Sequence, residues 1–450
     1  MADENDRNKN RSTPPPTGRL ARLTRLGSTA TAVTARAALQ KLKETVAPSA
    51  DHAVARAEML QRSGKDVAAT LAELKGAAMK VGQLLSIDPQ VLPHEVRSAL
   101  SELQHGAPPM PFPMVEQVVS EALGGPLSSF FRSFDEQPLG AASIGQVHGA
   151  VTREGESVAV KVQYPGIADT IDSDVKNLGM VLQVSRVVTP GVQVDAYLEE
   201  FRQVLQREAD YVQEADALRR YGELFRAEFP GTRTPRAFPG LTRKNVLTME
   251  RMHGRKLDEH LASLGHAERT ELATRFLVTY MRLFHEFYTL HADPHPGNFL
   301  VDDDGNLIVL DFGCVRDFER RFSNGFTGLL RAQWKGDADA LPALYRSMEF
   351  GTPDAKGLHD PEMLYDWGDV FLEPFLKDEE FNFPAWRLED KATAFLKENP
   401  AILTLPPPRP ALFYFRVCAG VRGMLTRTDS RVNVYRCAKG VDRRLRGKGV

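Results

Sequence analysis

Three polar side chains stand at spacings that suit phosphate chemistry. Asp293 and Asn298 are five residues apart in His291-Ala-Asp-Pro-His-Pro-Gly-Asn298, and Asp311-Phe-Gly313 begins thirteen residues after Asn298. Between them, two short apolar runs flank the turn-rich stretch Asp302-Asp-Asp-Gly-Asn306, which predicts a β-hairpin. Such a hairpin would bring Asn298 and Asp311 side by side as two oxygen donors for one magnesium ion. Phosphoryl transfer needs this grouping, because its catalysis consists mainly of positioning and charge neutralisation.

Other interpretations of the same segment are weaker. His285, His291 and His295 suggest a metal site, but Pro294 and Pro296 break any helix there, so the histidines cannot share a helical face. The stretch that starts at Asp302 resembles a calcium-binding loop, yet no glutamate closes it at the required distance. A plain turn is therefore expected.

A nucleotide-binding half is predicted upstream. Val158-Ala-Val-Lys161 is typical of the strand that carries a phosphate-binding lysine. Before it, Gly140-Ala-Ala-Ser-Ile-Gly145-Gln-Val147 matches a Gly-x-Gly-x-x-Gly-x-Val loop, except that Ala142 replaces the middle glycine. An alanine methyl group largely excludes positive φ, so this loop would lack the backbone freedom of a glycine loop. The residues expected to contact nucleotide here are Gly140, Ala141, Ala142, Ser143, Gly145, Val147 and Lys161.

The lysine also needs a carboxylate from a nearby helix. The stretch from Ala196 to Phe225 predicts one charged helix with apolar points that include Leu205, Val212 and Leu218. In an unbroken helix, Glu208 and Glu214 would lie roughly 120° apart around the axis. We expect one of these two glutamates to pair with Lys161, and the sequence leaves open which.

Six motifs occur together in one order: Lys80-Val-Gly-Gln83, Ala141-Ala-Ser-Ile-Gly-Gln146, Val158-Ala-Val-Lys161, Glu208-Ala-Asp-Tyr211 with Glu214, His291 to Asn298, and Asp311-Phe-Gly313. In this set the chain resembles the UbiB/AarF/ADCK-type family of atypical kinases, found in bacteria, mitochondria and plastids. The resemblance implies an α+β, protein-kinase-like, two-lobed fold with a helical N-terminal extension of the Lys-x-Gly-Gln type and additional C-terminal helices. It also implies binding of ATP with Mg²⁺, ATPase or kinase-like activity, and a link to ubiquinone or other prenyl-lipid metabolism at membranes.

The resemblance assigns roles to single residues. Lys161 would grip the phosphates, Asn298 and Asp311 would hold the metal, and Asp293 would orient or deprotonate the attacking hydroxyl or water. Lys80 and Gln83, on the predicted helix Asp66 to Leu85, would point into the nucleotide cleft, with Glu208 or Asp210 as the counter-charge of Lys80. The strand that ends near Glu250 and Met252 would offer backbone groups to adenine.

Composition and patterning set the domain plan. We expect a disordered basic segment at 1–45, the helical extension at 46–125, a kinase-like N-lobe at 126–253 and a C-lobe with extra helices and a basic tail at 254–450. A net charge of −2 gives no reason to expect nucleic acid, and three scattered cysteines favour a reducing compartment. No apolar run reaches the ~18–20 residues of a spanning helix. A cytoplasmic location is therefore expected, with peripheral attachment to anionic or prenyl lipid through the basic ends and partners in a lipid-biosynthesis complex.

Two alternative functions stay open at this point. A small-molecule phosphotransferase shares the His-x-Asp-x4-Asn pattern but would lack the Lys80-x-Gly-Gln83 extension. A non-catalytic, nucleotide-gated scaffold is compatible with Ala142 and with a covered cleft. After Gly313 the sequence shows no obvious activation segment, which argues against a conventional platform for protein substrates.

Overall fold

The computed structural model describes residues 109–142, 144–173, 175–176, 179 and 194–449. Lys80, Gln83, Ser143, the helix expected at Asp66 to Leu85, the segment 1–45 and most of the extension 46–125 lie outside the described residues. Their predicted roles stay predictions.

The chain divides into two compact units. One comprises Met1–Val115, Pro138–Val147 and Val162–Ala209, and the other comprises Glu116–Gln137, His148–Lys161 and Asp210–Val450. The domain boundaries expected from sequence stay a prediction.

The described helices have these bounds: α1 Phe112–Leu123, α2 Leu127–Phe130, α3 Val194–Glu208, α4 Tyr211–Glu228, α5 Leu257–Ser263, α6 His266–Phe287, α7 Arg320–Lys335, α8 Leu341–Ser347, α9 Pro361–Leu372, α10 Leu388–Glu398, α11 Arg409–Arg427 and α12 Val434–Gly447. The described strands are β1 Phe131–Ala142, β2 Gly145–Thr152, β3 Ser157–Gln163, β4 Thr232–Arg233, β5 Val246–Glu250, β6 Arg255–Lys256, β7 Thr289–His291, β8 Phe299–Val301, β9 Leu307–Val309, β10 Val315–Asp317, β11 Phe381–Asn382 and β12 Arg431–Val432.

Four sheets organise these strands. The first has the order β1-β2-β3-β5, and a second has the order β4-β9-β8-β6. Two-stranded sheets join β7 to β10 and β11 to β12, each pair antiparallel. Strand β3 is buried on both of its faces from Val158 onward, as expected for an inner strand of a sheet.

The predicted hairpin between Asn298 and Asp311 is confirmed. Strand β8 pairs antiparallel with β9, with Phe299 opposite Val309 and Val301 opposite Leu307. The Asp302 carboxylate closes the turn by accepting from the backbone N–H groups of Asp304 and Asn306 at 3.1 and 2.8 Å. Gly305 has a φ of 77°, a conformation that glycine adopts without strain.

The prediction of one helix from Ala196 to Phe225 is wrong. Helix α3 ends at Glu208 and α4 begins at Tyr211. Asp210 has an extended backbone (φ −122°, ψ 92°), and its side chain accepts from the N–H of Val212 at 3.1 Å. An aspartate in this position caps a new helix, so the chain breaks where helical periodicity alone predicts continuity. Val212, one of the apolar points of the predicted helix, is 46% exposed.

Aromatic side chains fill the core around α6. The ring of Phe284 stacks on Tyr414 of α11 at 4.2 Å and meets Phe318 edge-to-face at 5.2 Å. Tyr414 also contacts Phe326 of α7 at 4.4 Å. Aromatic contacts of this kind contribute beyond their buried area, so α11 is an integral part of this core.

Basic side chains of the C-terminal tail form ion pairs with acidic residues of the fold. Arg444 and Lys448 contact the fully buried carboxylate of Glu286 at 3.0 and 3.5 Å, and Arg282 donates to the same carboxylate. Further ion pairs join Arg431 to Asp429, Arg436 to Asp378, and Arg446 to Asp442. In the part of the chain that the structure describes, every helix is too short or too polar to cross a membrane.

His285 is a buried core residue of α6. Its Nδ1 lies 2.8 Å from the Thr327 hydroxyl, and burial, together with the nearby Arg331, lowers the pKa of His285 to about 4. The unfolded chain has an ordinary histidine pKa near 6.5, so it takes up the proton first as the pH falls. Stability from this group is therefore present above about pH 6.5 and is lost as the pH falls toward 4.

We therefore expect the free energy of unfolding to fall by about 2 kcal/mol between pH 7 and pH 5 because of His285 alone. Urea unfolding at both pH values measures this change. His285→Gln keeps a polar group near Thr327 but cannot titrate, so its pH dependence should be shallower by that amount. Equal slopes for the two proteins would contradict the assignment.

Candidate functional site

A buried lysine between two carboxylates forms the centre of the candidate site. The Lys161 Nζ lies 3.0 Å from both carboxylate oxygens of Glu214 and 3.0 Å from Oδ2 of Asp311. The Lys161 and Glu214 side chains are almost fully buried, whereas that of Asp311 is 31% exposed. Burial alone would lower the pKa of Lys161, but the charges of Asp311 and Glu214 outweigh it and hold the pKa well above its ordinary value. The lysine is therefore a permanent cation here.

Helix α4 supplies Glu214 from its first turn. The helix is tied to strand β10 by Arg220, whose guanidinium donates to both oxygens of Asp317 at 2.9 Å and to the Thr289 hydroxyl at 3.1 Å. The Tyr221 hydroxyl lies 2.7 Å from the same Thr289 hydroxyl. A bidentate arginine–carboxylate pair fixes direction as well as distance, so these contacts restrain rotation of α4.

The segment from Asp293 to Asn298 forms a closed loop. The Asn298 side-chain amide donates to the Asp293 carbonyl at 3.0 Å and to its carboxylate at 3.2 Å. The Asp293 carbonyl also accepts from the His295 N–H at 2.7 Å. The five-residue spacing therefore has a structural reason, because it lets the asparagine span the loop that presents Asp293. With its nitrogen engaged, Asn298 retains its amide oxygen for a cation.

Hydrogen bonds to His291 and Gly313 fix the conformation of the Asp311 turn. The Asp311 carbonyl lies 2.5 Å from His291 Nε2, and its Oδ1 accepts from the Gly313 N–H at 2.9 Å. Since a carbonyl can only accept, Nε2 carries a proton, and in the neutral ring the Tyr280 hydroxyl then donates to Nδ1 at 2.9 Å. The Phe312 ring packs at 4.7 Å from Tyr221 of α4 and at 5.4 Å from His291. Helix α4, strand β7 and the Asp311 turn thus share one packed contact.

The donor set suits a hard divalent cation. Asp311 offers a carboxylate and Asn298 an amide oxygen, which are the ligand types that Mg²⁺ takes in proteins. A backbone bond of 2.9 Å from the Leu310 N–H to the Asn298 carbonyl joins the two segments. The described residues contain no cluster of three or more His, Cys, Asp or Glu side chains suited to a metal. His285 and His291 have the core contacts above, and His295 accepts from the Gly297 N–H.

The described residues expected to contact nucleotide lie at the end of β1 and the start of β2. Gly140, Ala141 and Ala142 are extended residues of β1, and β2 begins at Gly145. Neither Ala142 nor any other described residue of this loop has a positive φ, so the alanine causes no strain. A Cβ atom on Gly145 would lie 2.2 Å from the Val162 carbonyl oxygen, which explains this glycine by close packing. Val147 is a half-buried residue of β2.

The expected adenine segment lies at the end of β5. The Glu250 N–H donates to the Arg236 carbonyl at 2.8 Å, and the next residue, Arg251, donates to Ser157 at 3.1 Å. Met252 follows in irregular backbone. The side-chain carboxylate of Glu250 accepts from the Arg236 N–H at 3.2 Å, so its own role is structural.

The structure resolves the alternatives that sequence left open for the lysine. It pairs Lys161 with Glu214, and it places Glu208 as a buried residue that ends α3. Asp210 serves as the cap of α4. Sequence reasoning missed the restraint of α4 by Arg220, because contacts so distant along the chain leave no local pattern.

Together, the α+β architecture and this group of side chains define a kinase-like fold with a nucleotide-type site. The model of the ABC1 atypical kinase-like domain matches residues 102–344. The chain therefore belongs to the ABC1 family of atypical kinases, the UbiB/AarF/ADCK-type family that its motifs predicted.

Relatives and a solved structure agree with this assignment. The chain is 30% identical over 445 residues to the mitochondrial atypical kinase COQ8 of Saccharomyces cerevisiae, with 97% of this chain and 87% of the relative covered. It is 31% identical over 354 residues to the mitochondrial atypical kinase COQ8B of Danio rerio, covering 78% of this chain and 56% of that protein. The match thus spans little more than half of the zebrafish relative. The structure of Rv3197 with erythromycin from Mycobacterium tuberculosis aligns with a TM-score of 0.59 at 25% identity, over 86% of this chain and 97% of that one.

The contribution of the Asp210 cap to the stability of α4, the helix that carries Glu214, can be measured by substitution. Asp210→Ala removes the acceptor for the Val212 N–H and should lower the free energy of unfolding by about 1 kcal/mol. Asp210→Asn keeps an equally good cap, so it should cost at most a few tenths of that value. Urea denaturation of the three proteins measures the difference. An asparagine variant as unstable as the alanine variant would show that the charge of Asp210, rather than its capping oxygen, is what matters.

Proposed function

We propose that this protein binds ATP with Mg²⁺ and catalyses phosphoryl transfer or ATP hydrolysis. The observation that carries the proposal is the Lys161 amine, held 3.0 Å from both Glu214 and Asp311, which come from distant parts of the chain. A lysine with one fully buried and one part-exposed carboxylate has a fixed side and an open side. Phosphate oxygens are the natural further partners of such a cation.

Each residue has a distinct part in this proposal. Lys161 binds the phosphates, and Glu214 keeps its side chain extended toward them. Asp311 and the amide oxygen of Asn298 would hold Mg²⁺, which when bound neutralises charge on the phosphate oxygens. Asp293 orients the attacking hydroxyl or water and accepts its proton. The backbone near Glu250 and Met252 receives adenine.

The metabolic role is proposed from the family to which the chain belongs. We propose that the activity supports ubiquinone or another branch of prenyl-lipid metabolism at a membrane surface, with partners in a lipid-biosynthesis complex. Supporting this, two similar proteins are named as mitochondrial atypical kinases, and another is named as a chloroplastic activity of BC1 complex kinase. Since most of the basic tail is paired within the fold, we propose that lipid contact relies on other surfaces.

Substitution of the proposed metal ligand should weaken nucleotide binding. Asp311→Asn keeps the shape but removes the charge, so the affinity for Mg-ATP should fall by about tenfold or more. Isothermal titration calorimetry with and without Mg²⁺ measures this. Asp303→Asn, the same change at an exposed position in the nearby hairpin, is the matched control and should bind as the wild type does. Unchanged affinity in Asp311→Asn would reject the site assignment.

Substitution of the proposed base separates chemistry from binding. Asp293→Asn keeps the loop closed through Asn298 but cannot accept a proton. We expect kcat for ATP turnover to fall by about 10²-fold or more, with the Mg-ATP affinity unchanged within about threefold. A scaffold would behave differently. In a deletion strain profiled for quinones and other prenyl lipids, full complementation by Asp293→Asn but not by Lys161→Ala would favour the nucleotide-gated scaffold over the enzyme.

A further inference from the structure

Helix α11 begins 65 residues beyond the matched kinase-like domain. It lies directly against the loop that carries Asp293. A Cβ atom placed on Gly420 would lie only 2.3 Å from Cγ of Pro294 and 3.4 Å from its Cβ and Cδ. Pro294 follows Asp293, and its ring cannot move without its backbone. The Pro294 ring therefore packs against the backbone of this helix at Gly420, where there is no room for a side chain.

A second residue of α11 reaches both motifs of the site. The Arg416 guanidinium donates to the carbonyl of Ala292, the residue before Asp293, and its Nη2 lies 3.6 Å from the sulfur of Cys314. Cys314 directly follows the Asp311-Phe-Gly313 turn. The backbone bond of 2.7 Å from the Ala292 N–H to the Cys314 carbonyl joins the same two residues. Arg416 thus contacts the two segments at the point where they are already paired.

The position of Arg416 is itself defined. The ring of Phe413 lies between two guanidinium groups, with Arg316 at 4.4 Å and Arg416 at 5.2 Å from its centroid. The neighbouring Tyr414 anchors the helix in the aromatic core. An arginine held over an aromatic ring loses little further freedom when it binds a carbonyl, so it can fix the loop.

We propose that Arg416 and Gly420 are positioning residues for Asp293, which makes helix α11 part of the active site. The assignment rests on the proposed function for its kinetic consequence. The positional claim concerns the conformation of the loop and can be measured on its own. Neither residue touches the group that Asp293 would act on, so their effect passes through the backbone of residues 292–294.

The experiment compares two glycines of the same helix. Gly420→Ala forces a methyl group against Pro294, whereas Gly423→Ala meets only the flexible end of Arg427 at 3.4 Å. Both changes raise helix propensity equally, so an effect through helix propensity alone predicts the same result for both. Hydrogen exchange of the His295 and Asn298 amides reports on the loop, and that of the Leu307 amide in β9 reports on global opening.

We expect Gly420→Ala to speed exchange at the loop amides by about tenfold, with no change at Leu307, and Gly423→Ala to leave all of them as in the wild type. The kcat for ATP should fall by about tenfold in Gly420→Ala alone, with KM for Mg-ATP unchanged within about threefold. Arg416→Met should give the same pattern. Arg416→Lys, which keeps the charge, should restore part of the loop protection.

A double variant provides the rescue. Pro294→Ala removes the atom that the new methyl group meets, so adding it to Gly420→Ala should bring loop exchange closer to the wild type than Gly420→Ala alone does. The inference is overturned if Gly420→Ala and Gly423→Ala behave alike, if Leu307 exchange rises as much as loop exchange, or if the double variant shows no recovery. A wild-type protein without ATP turnover would defeat the proposed function, while the exchange data would still decide the positional claim.

Discussion

The interaction on which the rest of the structure depends is the contact of one buried ammonium group with two carboxylates. Lys161, Glu214 and Asp311 come from a strand, a helix and a turn that are up to 150 residues apart in the chain. Breaking a buried pair by removing one partner typically costs about 3–5 kcal/mol, because the remaining charge is left without compensation. The three elements are therefore bound to one another. A displacement of one of them strains or breaks its contacts with the other two. Because Asp311 alone of the three is appreciably exposed, this group is rigid on its inner side and open on its outer side.

The packing behind these charges serves the same purpose. Phe312 contacts His291 and the aromatic residues Tyr221 and Phe225 of α4, so an aromatic contact also joins α4 to the Asp311 turn. The charged contacts of Lys161 hold the three elements together, and the bidentate Arg220–Asp317 pair sets the direction of α4. The aromatic contacts set distance, since close-packed rings resist compression and separation alike. His291 makes an aromatic contact with Phe312 through its ring, and it also donates a hydrogen bond to the Asp311 carbonyl.

The parts of the site that sequence predicts are those whose geometry is local. The loop from Asp293 to Asn298 and the β8–β9 hairpin are closed by hydrogen bonds between residues at most five apart, so spacing alone indicates them. The choice between Glu208 and Glu214 could not be made from periodicity, because α3 ends at Glu208 and a capping bond at Asp210 begins a separate helix that carries Glu214. Apolar periodicity does not detect such a break, because the apolar residues on either side keep a helical spacing. Arg220 and Arg416 lay beyond prediction, since a solvated arginine and one that fixes a site have the same local sequence.

Helix α4 shows how the fold turns these separate contacts into a fixed orientation. At its first residue the Tyr211 N–H donates to the Lys244 carbonyl at 3.0 Å, Arg220 ties its middle to Asp317, and Glu228 at its last residue contacts Arg282 at 2.9 Å and Arg444 at 3.7 Å. A helix held at one point can still rotate and tilt about that point, but one held at both ends and in the middle cannot. The direction of Glu214 is thus set by contacts along the full length of α4, one of them with the C-terminal helix α12. Since α11 contacts Ala292 and Pro294 on either side of Asp293, both sides of this group of side chains are in contact with chain that follows the matched kinase-like domain.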